Sequence, residues 1–78
     1  MPIPLYGFLK GDTIGLLLLA DETETMQQLA ARLQEAASVR VKPSQSARLV
    51  FAGRALPAEA TVAQAGMRAL QRFDVIPD

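Results

Sequence analysis

The side chains able to do chemistry in this chain are few and narrow in type. It contains no histidine and no cysteine. That removes the commonest metal ligand, the side chain that titrates near neutrality, thiolate zinc sites, disulfides and cysteine nucleophiles. The titratable candidates are Asp12, Asp21, Glu22, Glu24, Glu35, Glu59, Asp74 and Tyr6. General acid–base work needs two such groups in a cleft, with pKa values driven apart. Asp21, Glu22 and Glu24 cluster only because they share a loop ahead of a helix start, where carboxylates favour the helix dipole. The stretch Gly11-Asp12-Thr13-Ile14-Gly15 has two glycines but lacks phosphate-loop spacing and leads into a strand. It reads as a hairpin turn. These residues predict a binding protein and no enzyme, with no cofactor and no metal.

The bulk composition narrows the partner. With 78 residues, half of them apolar, the chain is one small domain over residues 1–78. A domain of this size buries only about 60% of its unfolded surface. Eight basic residues balance eight acidic ones. Zero net charge removes the electrostatic case for nucleic acid or an anionic membrane. The basic residues are scattered and not interleaved with stacking aromatics, since Tyr6, Phe8, Phe51 and Phe73 are assigned to the core. The apolar run from Ile14 to Ala20 falls far short of the roughly 20 residues of a membrane helix. Met1-Pro2-Ile3-Pro4 has no basic segment ahead of an apolar one, so no secretory signal is read. The expectation is a cytoplasmic protein that binds another protein.

Periodicity supplies the elements that must carry such a surface. Residues 3–9 and 14–20 are two apolar runs split by Lys10-Gly11-Asp12-Thr13, the pattern of a β-hairpin. If Ile14, Leu16 and Leu18 point inward in the second strand, alternation turns Gly15, Leu17 and Leu19 outward. Thr25 and Gln28 form a capping box, and Met26, Leu29, Ala30, Leu33, Ala36 and Ala37 give a helical stripe. Pro43 bars its continuation. Residues 48–51 are a third strand, with Leu49 and Phe51 on one face and Arg48 and Val50 on the other. Leu56 reads as a one-residue plug or very short strand. Thr61 caps one or two helical turns that end at Gly66. Residues 72–76 are the last strand, closed by Pro77.

The order β-β-α-β-(β)-short helix-β predicts a two-layer α+β domain. One helix crosses one face of a mixed four- to five-stranded sheet, and the other face stays open. This is the β-grasp arrangement, and here the sequence resembles ubiquitin and its relatives. Arg48-Leu49-Val50-Phe51-Ala52-Gly53-Arg54-Ala55-Leu56 follows the ubiquitin pattern R-L-hydrophobic-F-A-G-x-x-L. Gly11-x-Thr13-Ile14, Thr25-Met26, and Thr61-Val62 before Gly66-Met67 fall in matching places, with a small insertion around Thr23. Conjugation and sulfur transfer need a C-terminal Gly-Gly, whereas this sequence ends Val75-Ile76-Pro77-Asp78. It is therefore expected to be neither a modifier nor a sulfur carrier.

The resemblance implies an apolar binding patch on the open face. Its central strand member falls on Val50, its C-terminal strand member on Ile76 and its loop member on Leu9. Arg48 is a basic rim and Asp74 the polar position between. Leu17 and Leu19 are a second candidate, read from the residues themselves. Proteins usually blunt a sheet edge with charge or proline, and leucines there favour strand addition by a partner.

The sequence is also similar to the small B (gamma) subunit of toluene monooxygenase systems. Pro2-Ile3 with Phe8 before the hairpin carries that likeness. So do Arg40-Val41-Lys42-Pro43 after the helix, and Leu56-Pro57 through Thr61-Val62-Ala63-Gln64-Ala65-Gly66-Met67 to Phe73-Asp74-Val75-Ile76. It implies a small accessory subunit, holding no iron itself, docked on a diiron hydroxylase. The other reading is an adaptor of a different system, such as the YukD-like ubiquitin relatives of type VII secretion.

Overall fold

Strand alternation and one amphipathic helix account for the architecture of the computed structural model, which describes residues 2–78. The elements are β1 (Ile3–Leu9), β2 (Gly15–Ala20), α1 (Met26–Ala36), β3 (Ala47–Phe51), β4 (Arg54–Ala55), α2 (Val62–Ala65) and β5 (Arg72–Pro77). They form one five-stranded sheet in the order β2-β1-β5-β3-β4. Only β1 and β5 pair in parallel; the other neighbours are antiparallel. This is the α+β, ubiquitin-like β-grasp fold that the element order predicts.

Local chemistry sets the element ends. Gly11 takes a φ of 98° in the first hairpin. Thr25 Oγ1 accepts from the Gln28 amide at 3.2 Å, and the Thr25 amide donates to Gln28 Oε1 at 2.9 Å. Thr61 and Gln64 repeat the arrangement at the start of α2. The two helix starts also satisfy each other. Met26 and Gln27 amides donate to the Ala60 and Ala58 carbonyls, while Val62 and Ala63 amides donate to Glu24 and Glu22 carbonyls. The first amides of both helices, which have no partner within a helix, are thus all paired. Beyond β3 the turn is Ala52-Gly53, both at positive φ, which suits a two-residue hairpin. It makes Arg54–Ala55 the short fourth strand. Leu56 lies just past it, half-buried, with its amide on the Leu49 carbonyl.

Pro4 has no amide to give a sheet ladder, which suits a strand start or an edge. It is near the start of β1, but β1 is an inner strand between β2 and β5. Parallel pairing with β5 begins only at Tyr6, so no ladder donor is missing at Pro4. Pro77 is the last residue of β5 and lies opposite Ala47.

The core lies between α1 and one sheet face. Leu5, Leu9, Leu49, Phe73 and Val75 come from the sheet, Met26, Leu29 and Leu33 from α1, and Val62 from α2. Helix and sheet meet most closely at Gly7. A methyl group there would lie 2.7 Å from Phe73 Cζ and 2.9 Å from Leu33 Cδ1. The missing side chain is what lets Leu33 settle on the sheet. Leu33→Asp would bury a carboxylate with no partner, at a cost of several kcal/mol against a total stability of about 5–15 kcal/mol. We predict that this variant shows no cooperative unfolding transition; a native-like melt would contradict it.

An ion pair fastens the hairpin turn to the segment after α1. Arg40 donates from Nε to Asp12 Oδ1 at 2.9 Å and from Nη2 to Asp12 Oδ2 at 3.0 Å. The Thr13 amide also donates to Asp12 Oδ1, at 2.8 Å. The Arg40 hydrogen bond holds the Asp12 carboxyl below its ordinary value of 3.8. A lowered folded-state pKa stabilises the fold above the unfolded value and stops doing so as the pH falls through the folded one. The native chain should therefore exceed Asp12→Asn in stability at pH 7. Denaturant unfolding should show that gap closing as the pH is taken below 3.8.

Candidate protein-docking surface

Register decides which side chains share the sheet face that α1 leaves uncovered. Leu5 opposes Leu18 and Gly7 opposes Leu16, and these face the helix. Tyr6 opposes Leu17 and Arg72, and Phe8 opposes Gly15 and Asp74, on the other side. Across the sheet, Arg48 opposes Ile76 and Val50 opposes Asp74. The open face therefore carries Leu17 and Leu19 on β2, Tyr6 and Phe8 on β1, Arg72, Asp74 and Ile76 on β5, and Arg48 and Val50 on β3.

Of the residues singled out in the sequence, the structure brings Leu17, Leu19, Arg48, Val50 and Ile76 onto one face. Leu9 is corrected. It is 3% exposed and belongs to the core. It has the odd-numbered phase of Leu5 and Gly7 and opposes Val75, so its side chain turns to the helix. Alternation in β1 runs to the last residue before the turn, which leaves no loop position for Leu9 to occupy. Ile14 is a second correction: it precedes β2 and is exposed. The aromatic assignment also splits. Phe73 is buried and Phe51 packs on the core, but Tyr6 and Phe8 are on the open face. Their even-numbered phase in β1 was the signal that could have placed them.

The face has an apolar half and a charged stripe. Leu17 and Leu19 are 53% and 57% exposed, and Tyr6 is 42% exposed between them and β5. Phe8 lies flat across Gly15. A methyl group at Gly15 would come within 2.5 Å of Phe8 Cε1. Arg72 covers the ring, with Cζ 4.0 Å from its centroid, and donates from Nε to Asp74 Oδ1 at 3.0 Å. Arg48 Nε pairs with Asp78 Oδ1 at 3.2 Å, and Ser46 donates to Asp78 Oδ2. Both ion pairs are exposed to water and contribute little to stability. Their arginines are free to exchange carboxylate partners with an incoming surface.

A groove of about 720 Å³ also runs between α1 and β3. Met26 and Leu49 at its floor are already buried, and Gln34 there accepts from the Ser44 amide at 2.7 Å. Among the described residues, no group of three or more acidic side chains is placed to hold a metal ion, and no helix is long and apolar enough to cross a membrane.

Comparison with known proteins supplies the chain's kinship. The family model of toluene-4-monooxygenase system protein B, TmoB, matches residues 2–76. The chain belongs to the TmoB family. A chain of a toluene 4-monooxygenase complex solved with the inhibitor 4-bromobenzoate is similar over the full length of both chains, at 21% identity and a TM-score of 0.89. Ubiquitin of Caldiarchaeum subterraneum is similar at 19% identity and a TM-score of 0.84, covering all of this chain and 95% of that one. The UBL domain of Plasmodium falciparum Dsk2 follows at 15% identity and a TM-score of 0.81, with both chains fully covered. No curated protein sequence matches the chain. The likeness read from local patterns thus extends over nearly the whole sequence. As a TmoB-family protein the chain is a small accessory subunit with a ubiquitin-like fold.

The Phe8 stack gives this surface a spectroscopic marker. Arg72 side-chain protons should be shifted upfield by the ring in the native chain. Gly15→Ala, which displaces the ring, should return them toward random-coil positions while the melt stays cooperative. Unshifted Arg72 protons in the native chain would contradict the stack.

Proposed function

We propose that this chain is a non-catalytic, cytoplasmic subunit that docks through its open sheet face on a diiron hydroxylase. The observation that carries the reading is the TmoB family match over residues 2–76. The surface chemistry supports it. A chain without histidine or cysteine supplies no imidazole or thiolate ligand. Its exposed leucines, Tyr6 and two arginines are the residue types that populate the centre and rim of protein interfaces. Val50 and Ile76, half-buried on adjacent strands, extend the contact across the sheet beyond the Arg72–Asp74 pair.

Co-expression with the large hydroxylase subunit of the same system tests this reading. A stoichiometric complex is expected, with the iron held by the large subunit. Val50→Asp should keep a cooperative melt at a modestly lower midpoint, because the side chain is on the face opposite the core but lies across from Asp74. It should weaken the complex tenfold or more, equivalent to about 1.4 kcal/mol. Failure of the native chain to bind, or turnover by the isolated chain, would overturn the proposal. Equal binding by Val50→Asp would remove that position from the interface.

A further inference from the structure

The outer edge of β2 carries main-chain groups that the fold leaves unused. Tyr6 and Lys10 donate their amides to the Gln71 and Val75 carbonyls, so even-numbered residues of β1 turn their main chain to β5. The odd-numbered ones turn to β2, where they oppose Leu16 and Leu18. Antiparallel alternation then points the amides and carbonyls of Gly15, Leu17 and Leu19 away from the sheet. One of these six groups is occupied. Arg32 donates from Nη2 to the Leu19 carbonyl at 3.0 Å, while its Nη1 is held by both Glu24 oxygens at 2.7 and 2.8 Å. Among the described residues, no other side chain or loop amide reaches this edge.

The two ends of the edge differ in charge. Lys10 stands exposed at the hairpin end, where Asp12 is already neutralised by Arg40. At the far end Asp21 and Glu22 are exposed beyond the Glu24–Arg32 pair. Six strand residues separate the ends by roughly 20 Å. That exceeds the screening length of about 8 Å in physiological salt, so the two poles act independently.

We propose that this edge receives an extended segment of the hydroxylase as an added strand. The inference rests on the docking reading above and names the form the partner takes there. The segment carries apolar residues beside Leu17 and Leu19, an acidic residue near Lys10 and a basic one near Asp21 and Glu22. Leu17 and Leu19 also belong to the open face, so a body seated on that face reaches the edge without a break. A second copy fits less well. Two-fold pairing about Leu17 uses the Leu19 carbonyl of both chains, so Arg32 blocks two of the six bonds. A hydroxylase segment forgoes only one.

Leu17→Pro tests the inference cleanly. The Leu17 amide points outward, so proline there removes no bond within the sheet but denies one to an added strand. Leu17→Ala removes the side chain and keeps the amide. We expect Leu17→Pro to bind the hydroxylase at least tenfold more weakly than Leu17→Ala; equal affinities would overturn the added strand and leave face docking intact. Amide exchange of the native chain gives an independent readout should Leu17→Pro fail to fold. Gly15, Leu17 and Leu19 amides should exchange fast in the free chain and slowly in the complex. Unchanged exchange overturns the inference. Slow exchange in the free chain together with a dimer by sedimentation assigns the edge to a second copy and also overturns it. Absence of any complex with the native chain overturns the docking reading itself.

Discussion

The close approach of Leu33 to the sheet at Gly7, beside Phe73, is the contact on which the rest of the molecule depends. It sets the separation of α1 from β1 and β5. With that spacing, the odd-numbered residues of β1 are committed to the core. Everything of even number is thereby committed to the outer face, because strand side chains alternate without exception over β1. The make-up of the open face follows from the packing constraint. The chain cannot bury Leu5, Gly7 and Leu9 without presenting Tyr6 and Phe8.

Much of this was legible in the residues. Turn chemistry at Gly11, the Thr25–Gln28 and Thr61–Gln64 starts, and the αL end at Gly66 each have a local cause, and each places an element. The outward phase of Leu17 and Leu19 was less readable, because Leu16 to Leu19 is apolar in either phase and only the register with β1 chooses between them. Leu9, the last residue of the first strand, was assigned to the patch because motif likeness matched it to the patch's loop member. The strand continues through it, and pairing with Val75 decides its direction. Tyr6 and Phe8 were missed for a related reason. Aromatic residues in a small domain are wanted by the core, and only the phase of β1 relative to Gly7 shows otherwise. The Asp12–Arg40 pair joins residues 28 positions apart, and no local pattern announces such a contact.

The proposed docking asks for a stable body and a surface that remains incomplete until the partner arrives. The sheet provides the first through a continuous core on one side. On the other side it leaves leucines, a tyrosine and an arginine-covered phenylalanine in water. Those apolar groups are costly to expose and favour burial against a complementary surface. The exposed ion pairs at Arg48 and Arg72 surround them with charges that re-pair easily, which favours orientation over strength.

Oxidative footprinting of the chain, free and bound to the large hydroxylase subunit, tests the central claim most directly. The account predicts that Tyr6, Leu17, Leu19, Val50 and Ile76 lose reactivity in the complex, while the exposed outer surface of α1 keeps its own. Protection confined to α1, with the sheet residues as reactive as in the free chain, would contradict it.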